Sequence, residues 1–390
     1  MNDVDRSCKE RGDPAEAPRM VVAWQGSQAA DHPGEFEAFQ RAVSDGRISG
    51  LDLVFGRSDI QRGPSRVRSS DLLDEIEERV LSGGVGILYF QYFHGRQLPD
   101  VRPLVRRLSA LREPPVIITS CGDALGSPLN PVPASLLQAA SVSDLVLVTS
   151  MGRLASRLMR VGAPRVTLMP LAADQAVFPL VAPPAEPEHD VVFVGSLHGR
   201  NPLRRHWWVS QRRRRLVGAL QRRFGSRFAL YGHGWEGFPS WRGAIPYREQ
   251  VEAMAQAAVV VGGYPGSLGR FYASDRLFVS LRSGRPLVDW EVSGVEALLR
   301  PGEEWVPART IPMVVNSVEV LLADENRSRR LAEAGSAVVD ARHLRVHRCD
   351  LFLRMAHELL LARAECRKPQ CPPLDFVDPQ VGQVGMSFGW

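Results

Sequence analysis

Two stretches decide the fold of this 390-residue chain: DVVFVGSLHGRNP, from Asp190 to Pro202, and FYASDRLFVSLRSGRPLVDWE, from Phe271 to Glu291. The first reads as a buried strand that runs into glycines and an arginine. The second reads as a polar turn, a helix and another buried strand. A short apolar strand, a glycine-bearing turn and a following helix are the units of a parallel sheet covered on both faces.

The same alternation extends in both directions. Downstream of Asp190 come a long basic helix from Leu203 to Phe224, a strand RFALYG (Arg227 to Gly232), a helix from Tyr247 to Ala257 and a strand from Val259 to Gly262. A helix from Ser274 to Arg282 and a strand from Arg285 to Trp290 follow, then helical stretches Met313 to Ala323, Arg327 to Asp340 and Val346 to Ala364. Upstream, strands are expected at Arg19 to Trp24, Leu51 to Phe55, Gly86 to Phe93, Pro115 to Ser120, Asp144 to Ser150 and Arg165 to Leu171. Helices are expected between them at Glu35 to Val43, Asp71 to Leu81, Val101 to Leu111 and Arg153 to Val161. FPLVAPPAEPEH, Phe178 to His189, is proline-rich without apolar period and reads as a linker. The expected organisation is a disordered tail (1–18), a Rossmann-like domain (19–177), the linker (178–189), a second Rossmann-like domain (190–345), a helix returning to the first domain (346–365) and an irregular tail (366–390).

Composition agrees with two domains, since single cores stop growing near ~250 to 300 residues and 44% of this chain is hydrophobic. No apolar run reaches the ~18 residues of a membrane span, and the charged N-terminus lacks the apolar centre of a secretion signal, so a cytoplasmic location is expected. Five scattered cysteines argue against a disulfide framework or a structural zinc site. Of 48 basic residues only Lys9 and Lys368 are lysines, leaving 46 arginines. That bias fits either a GC-rich coding sequence or anion recognition by the planar guanidinium.

Ligands of open α/β sheets bind beyond the carboxyl ends of the strands. In the second half these positions hold Gly195, Ser196 and Arg200, with Arg204 just beyond, then Tyr231, Gly232, His233 and Trp235, then Ser274, Asp275 and Arg276, and finally Glu291. Glycines let backbone N–H groups approach a phosphate, and arginines neutralise it. Each of these turns can equally be a plain strand-to-helix connection or a packed aromatic turn. In the first half the corresponding positions hold Asp31, His32, His94 and Asp123.

From about Asp190 to Leu353 the chain resembles the CgeB-like branch of glycosyl transferase group 1, whose fold is the two-Rossmann GT-B type. The matching features are DVVFVGSL followed by arginines, LYGHGW, YREQVEAMAQAAVVVG, SDRLF with SGRPLV, PGEEWV and VEVLLADENRSRRLAEAG. MPLAADQAVF, Met169 to Phe178, looks like the family's crossover into the linker. The resemblance implies two doubly wound domains facing a cleft, with a nucleoside-diphosphate-sugar held by the second and an acceptor hydroxyl by the first. It puts Arg200 and Arg276 on the diphosphate, Gly195 along it and His94 near the transferred sugar. It implies retention of anomeric configuration, while arginines and helix N-termini can stabilise the leaving diphosphate with no cofactor or metal, and the chain has no convincing DxD motif. Were the configuration inverted, Asp31, His32, His94 and Asp123 are the candidates to deprotonate the acceptor.

Two departures stand out. The family's glutamate five residues before Gly284 is Val279 here, and its companion eight residues earlier is Phe271. Ribose binding then falls to another group, Asp275 or Glu291. The usual lysine on the diphosphate has no counterpart between Lys9 and Lys368. Three functions remain open at this stage: sugar transfer to a small molecule or cell-surface precursor, sugar transfer to nucleic acid, and non-catalytic nucleotide binding on the same scaffold. The second is prompted by the arginine-dense helix around residues 204–223, with Trp207 and Trp208 able to stack on bases.

Overall fold

The structure is a computed structural model that describes residues 17–25, 28–56, 69–91, 99–127, 130–197, 205–263, 269–381 and 385–390. The first half forms six parallel strands: β1 (Arg19–Gln25), β2 (Gly50–Gly56), β3 (Val85–Phe90), β4 (Val116–Cys121), β5 (Leu145–Val148) and β6 (Val166–Leu168). Their order in the sheet is β6-β5-β4-β3-β1-β2. Five helices cover it: α1 (Pro33–Ser44), α2 (Ser69–Leu81), α3 (Arg102–Leu108), α4 (Ala134–Ala140) and α5 (Arg153–Arg160). Alternation along β1 divides the core between the two faces of the sheet. Val21 and Ala23 join the core under α2 and α3, whereas Met20, Val22 and Trp24 join the core on the other side. Helix α4 was not expected from the sequence, because ASLLQAA is short and follows two prolines.

The second half has five parallel strands: β7 (His189–Val194), β8 (Phe228–Tyr231), β9 (Ala257–Val261), β10 (Leu287–Trp290) and β11 (Val306–Ala308). Their order is β11-β10-β9-β7-β8. The three-residue β11 is too short for a sequence pattern to mark. The covering helices are α6 (Arg205–Phe224), α7 (Gln250–Ala255), α8 (Asp275–Leu281), α9 (Ile311–Ala323) and α10 (Glu325–Arg342). Helix α6 buries Leu216, Val217, Leu220 and Phe224 against Phe193 and Phe228, which gives one side of this sheet its own core.

A final helix, α11 (Arg345–Ala364), packs on the first sheet. Its Phe352 meets Phe39 at 5.7 Å and Tyr89 at 4.4 Å between ring centroids, and its Arg363 pairs with Asp144 at 3.0 Å. The segment beyond α11 is mostly irregular, yet it ties the two halves together. Asp378 donates its N–H to Ala297 at 2.8 Å and sits near Arg300 and Arg342. The chain then ends in β12 (Ser387–Phe388), antiparallel to β6, with Trp390 Nε1 donating to Thr167 Oγ1 at 2.8 Å. Cys121, Cys349 and Cys371 are free thiols. Among the described residues no helix is long and apolar enough to cross a membrane.

Candidate functional site

Both sheets place their first three strands in the spatial order second, first, third. Neighbouring crossovers then leave toward opposite faces, and a crevice opens beyond the carboxyl ends of the first and third strands. In the second sheet this crevice lies between β7 and β9.

Its β7 side is the turn Gly195–Leu197, which stays locked to the end of β8. Gly195 N–H donates to Tyr231 O at 2.9 Å, Leu197 N–H to His233 O at 2.9 Å, and His233 N–H to Ser196 Oγ at 3.0 Å. Gly232 lies in the left-handed region at φ 131, and a Cβ there would sit 2.4 Å from Gly195 O. Only glycine fits so close an approach. The β9 side is Gly262 and Gly263. A Cβ on Gly262 would meet the Asp289 carboxylate at 2.1 Å, and one on Gly263 would meet the Phe193 ring at 2.6 Å.

The two sheets meet near this region. Met151, just after β5, donates its N–H to Arg270 O at 3.0 Å, and Gly269 faces Ser150. Immediately after, Phe271 adopts φ 68 and is buried, its N–H donating to Ser293 O at 2.7 Å. A left-handed phenylalanine is a strained conformation, held here because Gly294 leaves room for its ring. Tyr247 packs edge-on against Phe178 at 4.9 Å, and its hydroxyl donates to Asp275 Oδ2 at 2.7 Å. Packing around the half-exposed ring and the adjacent Asp275 carboxylate raise the pKa of that hydroxyl, so it stays a donor. The other carboxylate oxygen of Asp275 accepts the Arg276 N–H at 2.9 Å.

Residues 205–354 match the glycosyl transferase-like family. No curated protein matches the chain by sequence. Among solved structures the fold resembles sucrose-phosphate synthase from Thermosynechococcus elongatus, with a TM-score of 0.54 and 16% identity over 89% of this chain and 100% of that one. HepE of Anabaena in complex with UDP and glucose superposes with a TM-score of 0.53, 11% identity and 87% and 99% coverage. An alpha-glucosyltransferase in complex with UDP-glucose and DNA containing an abasic site gives a TM-score of 0.55, 11% identity and 83% and 95% coverage. The chain has the GT-B fold of these glycosyltransferases. The family match is to the broad glycosyl transferase-like group and does not reach the narrower CgeB-like branch.

The fold gathers the residues singled out in the sequence into separate clusters. Gly195, Ser196, Tyr231, Gly232, His233 and Trp235 form one unit at the crevice. Trp235 is 0% exposed, which makes YGHGW a packed aromatic turn. It packs edge-on against Phe193 and Phe238, and its Nε1 donates to Gly195 O. The indole therefore holds the turn from behind and presents no face to a ligand. Ser274, Asp275 and Arg276 form a second cluster with Tyr247. Ser274 is the N-cap residue of α8 but makes no side-chain capping bond, and α8 has only seven residues, so the anion site at this turn reduces to the Arg276 side chain.

Glu291 stands apart at the end of β10. Both of its oxygens are taken by Arg309, at 2.6 and 2.8 Å, and this pairing holds its pKa below the usual carboxylate range. A ribose role would have to break that pair. Phe271 and Val279 fill the two glutamate positions with buried apolar side chains. Asp289, buried at the end of β10, lies against Gly262 on the β9 side of the crevice.

In the first sheet, Asp31 and His32 lie on the turn after β1, beside the first-to-third crevice there. Asp31 is exposed and accepts the Gln28 N–H at 3.3 Å, while His32 meets Trp24 edge-on at 5.7 Å. Asp123 is exposed one strand further on, after β4. Nearby Cys121 is buried, which pushes its thiol up to about 12 and leaves it inert. His94, Arg200 and Arg204 lie outside the described residues. No group of three or more His, Cys, Asp or Glu side chains among the described residues could hold a metal ion.

Proposed function

We propose that this chain is a glycosyltransferase that uses a nucleoside-diphosphate-sugar, held at the β7/β9 crevice, and transfers the sugar to an acceptor hydroxyl bound over the strand ends of the first sheet. The observation that carries the reading is the interlocked glycine turn Gly195–Leu197 at the switch point, beside the stretch that matches the glycosyl transferase-like family. HepE with UDP and glucose, and the alpha-glucosyltransferase with UDP-glucose, support a hexose carried on a nucleoside diphosphate. Negative charge develops on the departing diphosphate, and preset donors there lower the barrier. Ser196, Arg276 and Arg200 would supply them without a metal, and transfer with retention would require no protein base. The acceptor is then a small molecule or a cell-surface precursor.

A thermal-shift screen with UDP, GDP, dTDP, ADP and their sugars tests the donor site. A ligand at 100 times its dissociation constant stabilises by ~2.7 kcal/mol. Silence across the panel sinks the reading, and binding without hydrolysis or transfer leaves only a nucleotide-binding role. Activity unchanged by EDTA supports metal independence, and product anomer analysis by NMR decides retention.

The face of α6 favours a second reading, in which the acceptor is nucleic acid. Trp208, Arg212, Arg215 and Arg222 recur at helical spacing on one side of α6, and all are exposed, Trp208 at 55%. The helix carries no acidic residue. A phosphate backbone would be neutralised by such a row, with binding that falls steeply as salt rises.

A further inference from the structure

At the β7/β9 switch point a single side chain ties the two strand ends together. Of the four arginines from Arg212 to Arg215, three are exposed, whereas Arg213 is only 9% exposed and turns inward. Its Nη1 donates to Ser196 O at 2.7 Å and its Nε to Gly263 O at 3.1 Å. The last paired residues of β7 and β9 are Phe193 and Val261, so the guanidinium bridges the strands just where their ladder ends and the crevice begins.

The neighbouring peptides are fixed from the opposite side. Gly195 O accepts from Trp235 Nε1, on the β8 side. In a planar trans peptide the N–H points away from the carbonyl, so Ser196 N–H points away from Trp235. No backbone acceptor among the described residues takes that N–H. Ser196 Oγ accepts from His233 N–H, and its own hydroxyl proton is still free to donate. Ser196, at the end of β7, therefore keeps two donors for a ligand, beside a buried guanidinium.

We propose that Arg213 is a positioning residue for the donor diphosphate. Its planar fork fixes the carbonyls of Ser196 and Gly263 at once, which presets the Ser196 N–H and O–H for phosphate oxygens and adds positive charge beneath them. The assignment rests on the donor reading above, and it supplies a basic group at the crevice from a residue that the family resemblance did not mark.

The test compares wild-type protein with Arg213→Lys and Arg213→Gln, titrating whichever of UDP, GDP, dTDP and ADP binds, and separately its nucleoside. Lysine keeps the charge but cannot bridge two carbonyls with one plane. Affinity of Arg213→Lys for the diphosphate is expected to fall about tenfold, equivalent to ~1.4 kcal/mol, with nucleoside affinity changed less than about twofold. Arg213→Gln should lose more for the diphosphate and no more for the nucleoside. Equal losses for both ligands would reveal a purely structural tie and overturn the proposal, as would no loss at all. If the arginine variants do not fold, Trp235→Phe releases Gly195 O from the other side, and its loss must show the same bias toward the diphosphate. Wild-type protein that binds none of the four diphosphates defeats the donor reading itself, a result distinct from an unbiased loss in the variants.

Discussion

Arg348 Nη2 donates to His343 Nδ1 at 2.9 Å, which makes the other ring nitrogen the protonated one, and Nε2–H donates to Leu298 O at 3.1 Å. The pair joins the two halves of the molecule, because Arg348 also donates from Nε to Pro170 O at 2.9 Å while the His343 ring stacks on Phe278 at 4.6 Å. The imidazole is wholly buried, and besides Arg348 it has Arg342 and His347 nearby. Burial first, and these cations second, push its pKa well below the ordinary value.

A pH dependence of stability follows from that environment. Unfolded histidine binds a proton near pH 6.5, and folded His343 refuses it. Stability is therefore full above about pH 6.5 and falls as the pH drops, by up to ~1.4 kcal/mol per pH unit from this group. His347 and His357, also lowered by burial, add in the same direction. Denaturant melts between pH 7.5 and 5.5 should show the decline, and His343→Gln should flatten its slope. A slope identical in the variant would remove His343 as its source.

Gly232→Ala tests the crevice turn. The added methyl would sit 2.4 Å from Gly195 O on a backbone at φ 131. Strain of this kind costs roughly 1–3 kcal/mol, or moves the turn to relieve it. The expected outcome is a lower melting temperature together with weaker nucleoside diphosphate binding. Gly46→Ala also has a positive φ, but nothing lies within 4 Å of its added methyl, so it should lose stability without losing ligand.

Much of the fold was legible because the strands are short apolar runs and the helices long amphipathic ones. β1, β7, α6 and α11 follow the sequence pattern to within a residue or two. What escaped was decided by tertiary context. LYGHGW reads identically whether Trp235 faces a ligand or the core, and only the placement of Phe193 and Phe238 makes it core. In the run Arg212–Arg215 the apolar stripe of α6 shows that one arginine must turn inward, but its carbonyl partners come from two loops distant in sequence. Glu291 looked free because Arg309 lies on a loop 18 residues away.

Arg276 and Tyr247 separate ligand binding from support of the second cluster. Arg276→Ala removes the one basic side chain of that cluster while leaving the Asp275–Tyr247 bond intact, so nucleoside diphosphate stabilisation should vanish with little change in the free protein. Tyr247→Phe deletes the 2.7 Å bond to Asp275 and should cost about 1 kcal/mol of stability. Through Asp275, which holds the Arg276 N–H, it should also raise the donor KM several-fold with kcat less affected. A Tyr247→Phe enzyme with unaltered KM would confine this tyrosine to stability.

The row on α6 distinguishes the two acceptor readings. Arg212, Arg215 and Arg222 all project from one exposed side of the helix. If the acceptor is duplex DNA, log affinity should fall linearly with log salt, and the triple replacement of Arg212, Arg215 and Arg222 by glutamine should reduce that slope by roughly 3. Donor binding should be little changed, since the side chain of this helix that bridges the crevice is Arg213. Filter binding of labelled duplex between 50 and 200 mM salt, chosen because phosphate contacts lose most affinity over about that range, measures the slope directly. A slope near zero in the wild-type protein would return the acceptor to the small-molecule class and leave the arginine face as solvated surface.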